Sequence, residues 1–273
     1  MRKLGYFLYA FVPFILVEIV QIICVFYLTG ISAIFGLGPL NELLLDESFS
    51  TMIMIIYTLI VICGFGIWYY CCYGGEYIAG VDRQFHPLLV AGVVALVPGA
   101  QFLSNYICTF IYIVKPDWWD SYVELMETSG LTETTFLIIV YAVFLGPICE
   151  ELIFRGVTMR MFGCVFPFWL ANICQAILFG AYHMNIVQGI YAFALGLILG
   201  YVCDKGKSIY YSIFLHILFN FWGTIISSLF DEISSTAFTE LLILLITAIS
   251  LAGGFVLFKK GLLARDYINE NPS

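Results

Sequence analysis

Charge is what this sequence lacks most. Asp, Glu, Lys and Arg make up 11% of its 273 residues, less than half the roughly 25% of a soluble domain, whereas 62% of residues are hydrophobic. Such a chain cannot cover its apolar surface with its own polar groups, so a bilayer must cover it. Lys and Arg are the scarcest charges, eleven in all and scattered. That is too few for a nucleic-acid footprint, so no nucleic-acid partner is expected and membrane lipid is the first partner to expect. The cysteines form no Cys-x-x-Cys pair of the zinc-holding kind, and all nine are expected to behave as small buried hydrophobes. No repeat of 20–50 residues and no Pro/Ser-rich linker interrupts the chain. Residues 1–273 are therefore expected to form a single integral membrane domain.

What the sequence has instead is long apolar runs. About eight can be drawn, over residues 6–28, 51–73, 88–114, 135–154, 166–183, 186–202, 209–230 and 237–258, each near the ~20 residues a bilayer requires. The expected fold class is all-α, a polytopic integral membrane protein. The first run follows Met1-Arg2-Lys3, but it is longer than a signal-peptide core and lacks a small-x-small cleavage site, so it is expected to be retained. With the N-terminus inside, Arg2, Lys3, Arg83, Arg155, Arg160, Lys205, Lys207, Lys259, Lys260 and Arg265 fall on inner segments and only Lys115 falls outside, the imbalance the positive-inside rule describes. Both termini are then cytoplasmic. The short loops and absence of a targeting extension fit a bacterial plasma membrane. Residues 118–134 mix Trp118, Trp119, Tyr122, Leu125 and Met126 with Asp120, Glu124, Glu127, Glu133 and the preceding Asp117, the pattern of a helix lying in the outer interface, and residues 31–45 are expected to form a similar interfacial connector.

The stretch that needs explaining is Cys149-Glu150-Glu151-Leu152-Ile153-Phe154-Arg155-Gly156, at the end of span four. Charged groups at bilayer depth cost roughly 2.5–3.5 kcal/mol each, and an ionisable residue there marks a functional site by default. Glu151 and Arg155 are four apart with the acid first, the better orientation of a helical ion pair. Glu150 lies about 140° round the helix from Arg155, so it has no local cation and is the carboxylate free to act as a base. Three further polar groups sit in apolar spans: His183 after Phe179 in span five, and His216 and Asn220 on one face of span seven. Together these residues supply a base, an orienting partner and oxyanion donors, the roles hydrolysis needs. Glu18, in the middle of span one, is the other membrane acid; the favoured expectation pairs it with a polar group on a neighbouring helix, with substrate entry or proton balance as the alternative.

Glu-Glu-x-x-x-Arg, Phe-x-x-x-His and His-x-x-x-Asn, in that order on successive spans, resemble the CPBP family. These are the CAAX-processing and bacteriocin-immunity proteins, also called the Abi or type II CAAX proteases, with the Rce1-type prenyl-protein endopeptidases. The resemblance covers roughly residues 135–230 and implies an intramembrane endopeptidase. It implies that Glu150 and His183 activate a water, that His216 and Asn220 stabilise the oxyanion, and that Glu151, Arg155 and Phe179 hold the site in shape. The substrate would be a peptide or lipidated protein at the membrane, either a prenylated CAAX tail or a leader or signalling peptide, cut near the cytoplasmic face. No cofactor is expected; the alternative is a zinc held by Glu150, His183 and His216 with a water position open. A non-catalytic regulator or bacteriocin-immunity protein on the same fold is the competing function. Strict alternation of spans puts Glu150 and His183 at opposite faces. Either helix four continues past Arg155, bringing Glu150 towards mid-membrane, or spans five and six enter only partway.

Overall fold

The computed structural model describes residues 2–35, 47–77, 85–128, 135–226 and 236–270. Glu133, Arg83 and residues 36–45, to which expectations were attached, lie outside them. Helices are the regular elements of the described residues, with no strand among them. Seven helices are long and apolar enough to cross a membrane, together with one shorter apolar helix, so the chain is an all-α, multi-pass integral membrane protein. The helices are α1 (Arg2–Tyr9), α2 (Val12–Ile34), α3 (Glu47–Tyr77), α4 (Pro87–Val114), α5 (Pro116–Thr128), α6 (Phe136–Gly163), α7 (Phe168–Tyr182), α8 (Ile186–Gly206), α9 (Ile209–Ile226) and α10 (Ala237–Glu270). Of the roughly eight spans expected, α7 is the short one: at 15 residues it is about 22 Å long, against the roughly 30 Å hydrocarbon layer.

α6 runs past Arg155 to Gly163, so Glu150 stands at the helix centre rather than at one end. Residues 152–158 are buried on every side, and α6 packs against α2, α3, α7 and α9. The apolar core runs from Val17 through Phe154, Phe179, Leu199 and Leu215 to Phe258. On the outside, Phe26, Ile34, Phe136 and Phe238 are among the large apolar side chains left exposed, the surface a bilayer covers.

Two close approaches fix the frame. α10 lies along α4, and a Cβ on Gly92 would come within 2.6 Å of the Phe258 backbone nitrogen, so only glycine permits that contact. α7 and α8 form a hairpin whose crossing is equally tight: a Cβ on Gly180 would lie 2.5 Å from the Gly189 carbonyl oxygen. The hairpin turns at Met184, which takes a positive φ of 52°. Asn185 then starts α8, its side-chain oxygen accepting from the Val187 and Gln188 amides at 3.0 and 3.1 Å, a capping geometry that satisfies two otherwise orphaned N–H groups. His183 is the last residue before this turn, so the hairpin sets its position.

His86 is half-buried and caps α4: its Nδ1 accepts from the Leu88 amide at 3.2 Å and its own amide donates to Tyr211 Oη at 3.3 Å. One expectation about a residue type is corrected. Of the nine cysteines, Cys63, Cys71, Cys72 and Cys164 are exposed rather than buried; three of them sit on α3, on faces that no other helix covers. The amphipathic segment after α4 does form a helix, α5, with Asp117 in its first turn and Trp119 edge-on to Tyr112 of α4 at 6.0 Å.

Candidate active site

The backbone of α6 departs from α-geometry on both sides of the two glutamates. Residues 140–145 and 152–158 are π-helical, and Gly146–Glu151 between them is a single α segment. Pro147 accounts for the first π segment. Gly146 donates to the Tyr141 carbonyl, five residues back; continuing that pattern, Ala142 would need a donor from residue 147, but proline has no N–H. Asn220 of α9 supplies it, its Nδ2 donating to the Ala142 oxygen at 2.7 Å. The proline thus opens the helix wall, and a side chain from the facing helix closes the hydrogen bond it leaves. π segments recur at functional sites.

Below this opening lies an ion-pair floor. Arg155 Nη1 donates to Glu151 Oε1 at 2.7 Å, and both side chains are fully buried. Arg155 Nη2 donates to the Gly196 carbonyl of α8 at 3.3 Å, and the guanidinium carbon lies 4.4 Å from the centre of the Phe179 ring. Gln175, one turn before Phe179, donates to the same Gly196 oxygen at 2.9 Å. Desolvating this pair is costly, and hydrogen bonds of this kind are what repay it.

The histidines stand on that floor. His216 Nδ1 is 2.9 Å from Glu151 Oε1, and its Nε2 is 3.6 Å from Glu150 Oε2. A ring nitrogen facing a carboxylate at 2.9 Å must carry the proton, which fixes that side of the ring. His183 Nδ1 is 2.8 Å from the Phe179 carbonyl oxygen, so its Nδ1–H donates there and Nε2 remains for chemistry. The Phe179 ring meets His183 and His216 edge-on, with centroids at 5.0 and 5.8 Å. Phe179 therefore supports Arg155 on its face and both imidazoles at its edges.

Glu150 is the exception among these groups. It makes no hydrogen bond to the described residues, and about one sixth of its side chain (17%) is open. It faces a cavity of about 410 Å³ also lined by His183, His216 and Asn220. The residues expected to act together thus meet at one cavity, with Glu151, Arg155 and Phe179 as its support. Several lining residues carried no signal in the sequence. Tyr57 of α3 and Tyr141 of α6 face each other through their hydroxyls at 3.3 Å, and Tyr182 and Tyr191 complete an aromatic wall. Glu18 and Gln21 of α2 line the same cavity; the expected pairing of Glu18 with a polar group on a neighbouring helix is not present among the described residues. The lining of the cavity also includes Leu125 and Met126 of α5.

As for metal, no group of three or more His, Cys, Asp or Glu among the described residues is arranged to hold an ion. Glu150, His183 and His216 do not meet as a ligand set.

Comparison with known proteins falls on the same segment. Residues 132–222 match the family model described as type II CAAX prenyl endopeptidase Rce1-like. A Bacillus subtilis (strain 168) protein named "Putative membrane peptidase YdiL" is 29% identical over 87 residues, which is 31% of this chain and 34% of that protein. The chain therefore spans about a third of the length of the curated relative it matches. No solved structure matches. One third of this chain, with all seven motif residues in it, carries the Rce1-like model of the type II CAAX prenyl endopeptidases.

Proposed function

We propose that this protein is an intramembrane endopeptidase in which Glu150 is the general base. One observation supports this above the others: of the two adjacent carboxylates, Glu151 is consumed by Arg155 and His216, while Glu150 is free of hydrogen bonds and open to the cavity. Glu150 takes a proton from a water, with His183 Nε2 orienting that water. The hydroxide attacks the peptide carbonyl carbon, and the carbonyl electron pair moves onto oxygen. The tetrahedral oxyanion is met by the second N–H of Asn220 and by His216 Nε2; for His216 to donate there while Nδ1 donates to Glu151, the ring must hold both protons. Collapse breaks the C–N bond, and the proton held by Glu150 goes to the leaving nitrogen. One water is consumed and a carboxylic acid and an amine are formed, with no acyl-enzyme. Asn220 already spends one of its two amide hydrogens on Ala142, which holds the other at a fixed angle, the preorganisation such donors require.

The test is cleavage of a quenched-fluorescent peptide library, part of it farnesylated, by detergent-purified protein, with Glu150→Gln beside it. The proposal expects cleavage by the parent protein and none by the variant. Cleavage that persists in Glu150→Gln assigns the base elsewhere.

A further inference from the structure

The cavity that holds Glu150 contains a second carboxylate that hydrolysis does not use. Glu18 stands halfway along the first membrane helix, is half-buried, lines the cavity with Gln21 and makes no hydrogen bond or ion pair to any described residue. A carboxylate held at bilayer depth without a partner is costly, and such a group is kept where something binds to it.

The charge balance of the cavity indicates what that is. Among the described residues its lining holds Glu18 and Glu150 and no Lys or Arg. Arg155 is behind the wall, fully buried and engaged by Glu151, and His216 is held between the two motif glutamates. The wall at the far end is Leu125 and Met126 of α5, a helix that carries Asp117, Asp120, Glu124 and Glu127 and no Lys or Arg. Lys115 just before α5 lies over the Trp118 ring, its nitrogen 5.9 Å from the centroid. Apart from His216, which Glu150 and Glu151 hold between them, the charges from α5 past Glu18 to Glu150 are negative, and a low-dielectric cleft lined mainly by one sign concentrates ligands of the other. The remaining wall, including Met54, Tyr57, Tyr182 and Tyr191, suits an aliphatic stem carrying a cationic head.

We propose that Glu18 is a substrate-recognising carboxylate and that this cavity takes peptides bearing a Lys or Arg side chain within a few residues of the bond to be cut. The inference rests on the hydrolytic reading for the bond and on the cavity for the charge.

The experiment takes the library peptide cleaved fastest and makes matched sets differing at one position, Lys, norleucine or Glu, within three residues on either side of the cut. kcat/KM is measured for the parent protein, Glu18→Gln, Glu18→Asp and Glu18→Lys. Expected is a tenfold or greater preference for Lys over norleucine at one position at least. Glu18→Asp keeps the preference, Glu18→Gln reduces it to within about twofold, and Glu18→Lys shifts it towards Glu. In parallel, fluorescence anisotropy of labelled Lys and norleucine peptides reads binding to the parent protein and to Glu18→Gln in the same detergent. Cleavage with no charge preference, or with a preference that survives Glu18→Gln, overturns the role of Glu18 and leaves the peptidase intact. Binding that favours Lys and depends on Glu18, without cleavage of any peptide, keeps the recognition and removes the peptidase. Neither cleavage nor Lys-selective binding overturns both.

Discussion

His216 Nδ1 lies 2.9 Å from Glu151 Oε1, the same oxygen that accepts from Arg155 at 2.7 Å. One carboxylate oxygen thus ties α9 to α6 and fixes the orientation of an imidazole whose other nitrogen faces Glu150. Glu151 reaches the chemistry only through His216, and its loss should be felt first as a loss of fold. Glu151→Gln leaves the Arg155 charge buried and uncompensated, a change that costs about 3–5 kcal/mol in buried pairs. Thermal unfolding in detergent should show a large drop in Tm for Glu151→Gln and for Arg155→Ala. Removing both partners together should cost less than the sum of the two, because neither charge is then left alone.

The proposed mechanism gives Asn220 two tasks, and they separate by substitution. Asn220→Ala leaves the Ala142 carbonyl without its donor, costing about 1–3 kcal/mol of stability for a buried unsatisfied group, and removes an oxyanion donor, worth about 10²–10³ in kcat. Asn220→Gln keeps the amide but moves it by one methylene. It should recover part of the stability and little of kcat, as read by Tm and turnover on the same sample. Full turnover by Asn220→Ala would remove it from the oxyanion role.

Phe179 joins the support of the site to its chemistry. Phe179→Leu keeps an apolar filler but removes the ring face under Arg155, an interaction worth about 0.5–2 kcal/mol, and the ring edges beside His183 and His216. A modest fall in Tm with a disproportionate fall in kcat is expected. A fall in both by the same factor would mean that the ring only fills space.

The α7–α8 hairpin makes a prediction remote from any charge. Gly180→Ala puts a methyl 2.5 Å from the Gly189 oxygen, so the two helices must part and His183, three residues on, must move with α7. Turnover should fall at least tenfold with KM changed less. Gly5→Ala, where an added methyl meets nothing within 4 Å, serves as the control.

Much of the site was legible because it is written in local spacing. The Glu151–Arg155 pair is an i,i+4 relation on one helix, and it survives the π segment in which Arg155 sits. That same relation left Glu150 over as the free acid. Apolar length gave the spans, apart from α7, whose run of apolar residues from 166 to 183 includes the turn before the helix and the histidine after it. What was not legible is what depends on two helices meeting. The pairing of Asn220 with Ala142 follows from Pro147, three residues before Glu150 and more than 70 residues from Asn220 in the chain, and nothing in either stretch names the other. The sharing of the Gly196 carbonyl by Arg155 and Gln175 is likewise a product of packing. Glu18 shows the limit most plainly: as a lone acid in an apolar run it suggested a partner on a neighbouring helix, and only the assembled bundle turns it towards a cavity.

The account stands or falls on Glu150 as the base, and the most direct measurement is the single-turnover cleavage rate of Glu150→Gln and Glu150→Asp beside the parent protein, with Tm measured on each. A positioned general base contributes about 10²–10⁴ in rate. The account predicts a loss in that range or larger for Glu150→Gln, an intermediate rate for Glu150→Asp, whose carboxylate is retained on a shorter stem, and little change in Tm for either, since Glu150 makes no hydrogen bond to lose. A Glu150→Gln protein that cuts at the parent rate would contradict it.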